Sequence, residues 1–280
     1  MSGLAINSAS AVSRSYQALD ARAALTLESS SRHVNASTYG GLSSLWGGTQ
    51  ADLATLLNTF SLRLSELMAS LQQVLPRPGA LADLSSKRNG AQPDHFWVGF
   101  RQGPTGNCVT VAAIKAAMLK FGQSPTDIFQ DVSKEGNGYR VVMRDGYSLH
   151  VSRGELAQAA RASRFVSRDK EVLKDAHFLF AVSAKRAQLE NNDGYARRGF
   201  GFAIYSLNEG EDEDENKPGE ALLRLGLGRY IKRVPVSELA RGELGVVNCG
   251  NHSAVVINGV EEYYGRRGKI PVRGDAIAFT

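Results

Sequence analysis

Apolar residues recur at helical spacing near the start of the chain. Leucine and phenylalanine positions three or four apart run from Leu53 to Leu75, where two prolines stop the pattern. The region 51–92 is therefore predicted to hold one amphipathic helix and then a Pro-, Gly- and Ser-rich linker that ends at Pro93. The polar face of this helix carries few cations, so packing is a better role for it than membrane binding.

Two further helices follow from the pattern of apolar positions. An apolar run over 108–121 predicts a helix that ends at Gly122, and a longer one is predicted over 172–189. Between them, Ser152 followed by Glu155 forms a capping-box signature, which predicts the start of a short helix.

Strand signals lie mainly in the last third of the chain. Asp145-Gly146 and Asn258-Gly259 each stand between apolar segments, as expected for hairpin turns. The predicted strands span 139–143, 147–151, 244–248, 252–257, 260–264 and 276–279. Helices that come first and strands that come late predict an α+β fold rather than alternating βαβ units.

Composition narrows the class of protein. Of the 280 residues, 42% are hydrophobic, and no apolar run reaches the roughly 18 residues that a membrane span requires. The net charge of +5 is scattered without a basic stripe that alternates with aromatic residues, so nucleic acid is not an expected partner. The 2 cysteines provide no disulfide framework, which favours a reducing compartment.

Two segments lack the features of packed structure. Residues 1–50 are rich in serine and contain no acidic residue before Asp20, so we expect a flexible N-terminus. The acidic run from Glu209 to Glu215 lacks the ligand spacing of a calcium loop, so we expect a solvated loop without a bound metal. A folded domain is then expected over 93–280.

A thiol stands at the start of a predicted helix. The loop that begins at Gln102 and contains Gly103 and Gly106 leads directly into Cys108. The unpaired amides and the positive end of the helix dipole favour the thiolate, which is the nucleophilic form. The glycines allow close approach of a carbonyl, and a backbone amide together with the Gln102 carboxamide can bind the oxyanion that develops there.

His252 is the histidine best placed to act as the base. It follows a glycine bend and enters a late apolar strand, while the cysteine opens an early helix. Asp275, which opens the last strand, is our candidate for orienting it, because Asn258 lies roughly 20 Å further along the histidine strand. The other cysteine, Cys249, is expected to be a small buried apolar residue.

The two motifs resemble those of the papain superfamily. The run Gln-Gly-x-x-Gly-Asn-Cys that ends at Cys108 is similar to Gln-Gly-x-x-Gly-Asp-Cys of calpain-like enzymes. The segment around His252 resembles the histidine strand of the same family. The resemblance runs from Phe96 to the C-terminus and implies a papain-like fold, with Cys108 as nucleophile, His252 as general base and Gln102 in the oxyanion hole.

The chain also departs from the family pattern. Val109 stands where an aromatic residue usually follows the cysteine, and the Asn-Ser-Trp or Asn-Pro-Trp segment that usually follows the histidine is missing. These departures leave the third catalytic residue open, with Asp275 preferred.

The resemblance implies a thiol protease that cleaves a peptide or isopeptide amide of a protein substrate without a cofactor. Two alternatives stay open: the same residues can deamidate glutamine or transfer an acyl group, or the fold serves as a binding module without turnover. A Ser-rich, acid-poor N-terminus in front of such a domain is also similar to bacterial effectors delivered by type III secretion. That similarity implies a bacterial cytoplasmic origin, export into a host cell and a host protein as substrate. The sequence gives no signal for the oligomeric state.

Overall fold

A computed structural model describes residues 55, 57–67, 81–210 and 219–280. The chain divides into two compact units, Met1–Leu75 and Pro76–Thr280. In the first unit, residues 57–67 form helix α1, which lies within the predicted amphipathic helix. The expectations for 1–50 and for the acidic residues 211–215 fall outside the described residues.

The second unit contains several helices, one of which is buried along most of its length. They are α2 (Cys108–Phe121), α3 (Pro125–Ile128), α4 (Arg153–Ser163), α5 (Lys170–Glu190), α6 (Phe200–Ser206), α7 (Glu220–Arg224) and α8 (Val236–Ala240). Helix α2 is the buried one, because every residue from Cys108 to Met118 is shielded from solvent. Its small side chains allow close packing against α5, α7 and two strands.

The strands form two antiparallel sheets. The first has the order β1 (Asp131–Glu135), β2 (Gly138–Val142) and β3 (Ser148–Ser152). The second has the order β4 (Ile231–Val234), β9 (Asp275–Phe279), β5 (Gly245–Cys249), β6 (His252–Ile257), β7 (Val260–Tyr263) and β8 (Arg266–Arg267).

The second sheet is covered on both faces. Val246 pairs with Val255 and Ile277, and this row packs into the main core that contains α2. The neighbouring row, which includes Val247, alternates to the other face and packs with Leu239 of α8. Burial on both faces explains why residues 246–247 of β5 and 254–257 of β6 are all apolar.

Helix α2 has a fixed direction on this sheet. Near its C-terminal end, Lys120 Nζ donates to the carbonyl of Thr280 at 2.8 Å, and the Phe121 ring meets that of Phe279 edge-on at 5.9 Å. Cys108, at the opposite end of α2, therefore lies toward the end of the sheet at which β9 begins, at Asp275. The same end of the sheet carries His252 at the start of β6, because the register pairs Asn248 with Asp275 and the next residue of β5 with His252. By the alternation of side chains, His252 belongs to the row of Val247 and Ala254, on the face of the sheet away from α2.

Most predicted elements are confirmed. Helix α2 spans the predicted residues, helix α5 extends the prediction by one or two residues at each end, and both predicted turns join antiparallel strands. The capping box is present: Ser152 N donates to Glu155 Oε2 at 2.8 Å, and Glu155 N donates to Ser152 Oγ at 3.2 Å. The α+β class is confirmed. Among the described residues, no helix is long and apolar enough to cross a membrane.

The described part of the expected linker packs against the second unit. Leu84 and Ser85 are buried, and Ser85 N donates to Asp175 Oδ1 at 2.9 Å. Further along, Gln123 N donates to the carbonyl of Ala91 at 2.9 Å. Residues 81–92 are thus part of this unit rather than a free connection, because they bury apolar and polar groups in it.

Candidate functional site

Cys108 opens helix α2, whose N-cap residue makes no side-chain capping hydrogen bond. Asn107 occupies the N-cap position, but its Nδ2 donates instead to the Ser163 carbonyl at 2.9 Å and to Asn208 Oδ1 at 2.8 Å. The backbone amide of Cys108 makes no hydrogen bond within the described part of the chain. It is therefore free to donate to an oxyanion formed at the thiol.

The two glycines before Cys108 are required by packing. A Cβ on Gly103 would lie 1.9 Å from the carbonyl oxygen of Arg164, and one on Gly106 would lie 2.3 Å from the amide nitrogen of Gly210. Gly106 also donates to the Asn208 carbonyl at 2.9 Å and accepts from Gly210 N at 3.1 Å. We expected these glycines to admit a substrate carbonyl; the structure shows that they admit neighbouring backbone.

Gln102 lies buried in the same loop. Its Nε2 donates to the carbonyl of Thr105, while Oε1 has no partner in the part of the chain that the structure describes. A carboxamide nitrogen carries two hydrogens, so one donor is still available. The predicted oxyanion role is compatible with this position and stays a prediction.

His252 begins strand β6 and forms a cluster of three rings with Tyr263 and Tyr264, whose own centroids are 4.9 Å apart. Its ring stacks on that of Tyr264, with centroids 5.2 Å apart and planes at 23°, and meets Tyr263 edge-on at 5.7 Å. Burial lowers the pKa of His252, although the charge of Glu262 opposes the shift. The neutral imidazole, which is the form that accepts a proton, is therefore favoured at neutral pH.

Tyr264 lies near both Cys108 and His252. Burial, followed by the charges of Tyr263 and Cys108, raises the pKa of Tyr264. Its φ of 48° is left-handed, and the next residue, Gly265, has φ 86°, so the two form the tight turn between β7 and β8. A bulky residue in this region is strained, and such strain recurs at functional sites.

A buried ion pair attaches the tyrosine turn to helix α2. Lys115 Nζ lies 3.0 Å from Glu262 Oε1, and the two side chains are 3% and 7% exposed. Glu262 also accepts a hydrogen bond from the amide of Gly265 inside the turn. Burial lowers the pKa of Lys115, while Glu262 opposes the shift. This pair ties the tyrosine turn to helix α2, the helix that begins at Cys108.

Sequence reasoning missed Tyr263, Tyr264, Lys115 and Glu262. One signal was present for Lys115, because it is a lone cation in the otherwise apolar interior of the predicted helix. The turn formed by Tyr264 and Gly265 had no clear signal, since tyrosine is an unusual residue at a left-handed position.

The structure gives Asp275 a different partner from the predicted one. Its carboxylate pairs with Arg233 of β4, and no hydrogen bond joins it to His252. Strand β5 separates the two strands, a spacing of roughly 10 Å. In the register, Asp275 pairs with Asn248, whereas His252 pairs with the next residue of β5. Successive side chains of a strand alternate between the two faces, so Asp275 and His252 leave opposite faces of the sheet. The orienting role expected for Asp275 has no support in this arrangement.

Cys249 is closer to the candidate base than the sequence indicated. It is partly exposed rather than buried, so that prediction is wrong. It pairs directly with His252 across the β5–β6 hairpin, which places the two Cβ atoms about 4.5–5.5 Å apart. Neither Cys108 Sγ nor the His252 ring makes a hydrogen bond with any described residue. Experiments on this site must therefore distinguish the two thiols.

A cleft of about 930 Å³ opens beside the tyrosine turn. Tyr263, Tyr264 and Gly265 form one wall of it, and segments around Arg101 and Val166 form the others. These two segments are joined by a reciprocal pair of backbone hydrogen bonds, each 2.9 Å long. The volume is at the upper end of the range of about 300–1,000 Å³ found for ligand pockets.

Comparisons with known proteins identify no relative of this chain. No family model matches it, and no significant match is found among curated proteins or among solved structures. The likeness to papain-type enzymes thus depends on the residues around Cys108 and His252.

Proposed function

We propose that this chain is a papain-like cysteine protease, with Cys108 as nucleophile and His252 as general base. One observation carries the proposal: Cys108 opens the buried helix α2 at the end of the sheet where His252 begins β6, and Tyr264 is within electrostatic reach of the thiol while stacking on the imidazole. Acyl transfer needs a nucleophilic thiol and a neutral imidazole, and Tyr264 is near one group of each kind.

The chemistry follows from these positions. The Cys108 proton passes to neutral His252, and the thiolate adds to the amide carbonyl carbon. The resulting oxyanion accepts hydrogen bonds from the Cys108 amide and from the remaining donor of Gln102. His252 then gives its proton to the departing nitrogen as the C–N bond breaks, which leaves a thioester on Cys108. Water, deprotonated by His252, hydrolyses the thioester and regenerates the thiol.

The cleft next to Tyr264 supplies room for substrate beside these groups. It adjoins the tyrosine turn on one side and the segment of Arg101, directly before Gln102, on the other. Cys108 and His252 are not among its described lining residues, so a bound peptide would have to extend past Tyr264 to reach the thiol. The substrate class proposed is a peptide or isopeptide amide.

Mass spectrometry of a peptide mixture tests the proposal. We expect the wild-type chain to generate new peptide termini, Cys108→Ala to generate none, and the matched control Cys249→Ala to retain cleavage. Ammonia release from glutamine peptides without cleavage would replace proteolysis by deamidation. Absence of any product, together with an unreactive Cys108, would favour the binding module.

A further inference from the structure

The cleft beside the tyrosine turn is lined by arginines. Arg101, Arg168 and Arg266 come from its three walls, and Asp169 is the one carboxylate among its described lining residues. The stem of Arg101 lies against the turn, since a Cβ on Gly265 would be 3.1 Å from Arg101 Cδ. The guanidinium groups thus belong to the same cavity as the tyrosines.

The positive charge of this cleft is not neutralised by the protein. Within the described residues, none of the three arginines forms an ion pair. The Asp169 carboxylate is already used, because its Oδ1 accepts from Glu171 N at 2.9 Å and from Val172 N at 3.2 Å at the start of α5. Arg101 Nη1 donates to the Gln102 carbonyl at 3.2 Å, which leaves its positive charge without a carboxylate partner. An anion entering the cleft therefore meets uncompensated positive charge on several sides.

Apolar side chains are exposed between the arginines. Val98, Val166, Tyr263 and Tyr264 all line the cleft and are 61%, 41%, 54% and 42% exposed. Large apolar groups left open to solvent around polar donors mark a binding surface. A ligand that fits this lining combines a negative charge with apolar groups on either side.

We propose that the cleft binds an acidic side chain of a peptide, flanked by apolar residues, and so selects acidic protein segments. The proposal rests on the protease function for its choice of a peptide rather than another polyanion. Arginine matches a carboxylate because two parallel N–H groups can donate to its two oxygens. The tyrosine and valine side chains then bind the neighbouring apolar residues.

Peptide binding to the full chain carrying Cys108→Ala tests the inference without any turnover. Two peptides with the same neutral dye are used, one with a central Val-Glu-Val and the other with Val-Gln-Val, and fluorescence anisotropy gives each Kd. We expect the acidic peptide to bind about tenfold tighter at low ionic strength, the order of one charge-assisted hydrogen bond. Adding Arg101→Gln or Arg266→Gln should each remove most of this preference. Arg140→Gln, an exposed arginine on β2, is the matched control and should retain it.

Several results would overturn the inference. Equal binding of the two peptides, or a preference that survives both arginine substitutions, would show that the cleft does not recognise the carboxylate. Tighter binding of a short oligothymidine than of the acidic peptide would assign the cleft to nucleic acid. The wild-type thiol is alkylated in parallel. If Cys108 is inert but the acidic preference is present, the protease proposal fails and the acidic site stands.

Discussion

The imidazole of the candidate base, His252, is stacked on the ring of Tyr264. Because burial lowers the pKa of His252, replacing its stacking partner should expose the ring and raise that pKa toward the ordinary value of about 6.5. We predict this rise for Tyr264→Ala, and little change for the control Tyr264→Phe, which keeps the ring. The measurement is an NMR titration of the His252 ring protons. The same low pKa in both variants would show that other groups bury the imidazole.

Gln102 is predicted to act on the oxyanion and not on the thiol. Gln102→Ala removes one donor, so turnover should fall roughly 10²- to 10³-fold. Alkylation of Cys108 develops no oxyanion and should proceed nearly as before. Gln92→Ala, at an exposed position, is the control and should change neither rate. An equal loss of turnover and alkylation would mean that Gln102 holds the loop rather than the oxyanion.

At the residue level, the sequence pointed to Cys108 and His252, two residues whose positions depend on local structure. Cys108 begins a helix because an apolar run starts there, and His252 begins a strand for the same kind of reason. The partner of Asp275 was not predictable, because it depends on strand order and on the face from which the side chain leaves. Neither property is visible along the chain.

Helix α2 and its preceding loop form one element whose geometry depends on Gly103. The backbone carbonyl of Arg164 occupies the place of any added Cβ, so Gly103→Ala should destabilise the fold by about 1–3 kcal/mol. The control is Gly154→Ala on helix α4, where the nearest atom is 3.9 Å away and alanine should stabilise by about 0.5–1 kcal/mol. Urea unfolding measures both. Unchanged stability in Gly103→Ala would show that the loop is free to move.

The ion pair between α2 and β7 should also be sensitive to single substitutions. Lys115→Met leaves the buried Glu262 carboxylate without its cation, which should destabilise the fold by about 3–5 kcal/mol. Adding Glu262→Gln removes the stranded charge and keeps an acceptor for Gly265 N, so the double variant should recover much of the loss. Urea unfolding of the three chains tests this. A double variant no more stable than Lys115→Met would show that the charge is not the cause.

Helices and hairpins with a clear local sequence signal were predictable, whereas short strands with few apolar residues were not. Helices α2 and α5 and the hairpins at Asp145 and Asn258 carry clear local signals. Strands β1 and β4 are four or five residues long with few apolar positions, so tertiary pairing rather than local preference forms them.

At the scale of the whole molecule, the candidate site is produced by the packing of α2 on the second sheet. The direction of α2 brings its first residue to the end of the sheet where β6 begins, and the Lys115–Glu262 pair holds the tyrosine turn at the same place. The sequence predicted the helix and the strands separately. Their relative direction comes from long-range contacts, and so does the cleft between the tyrosine turn and the segments of Arg101 and Val166. No local pattern specifies such contacts.

The most direct test of the proposed function is alkylation of the two thiols at pH 6, followed by mass spectrometry. We predict that Cys108 reacts much faster than Cys249, because it stands at the start of a buried helix. His252→Ala should slow labelling of Cys108 and abolish turnover. Equal labelling of both cysteines that is insensitive to His252→Ala would contradict the account. Faster, His252-dependent labelling of Cys249 would also contradict it and would move the nucleophile to the β5–β6 hairpin.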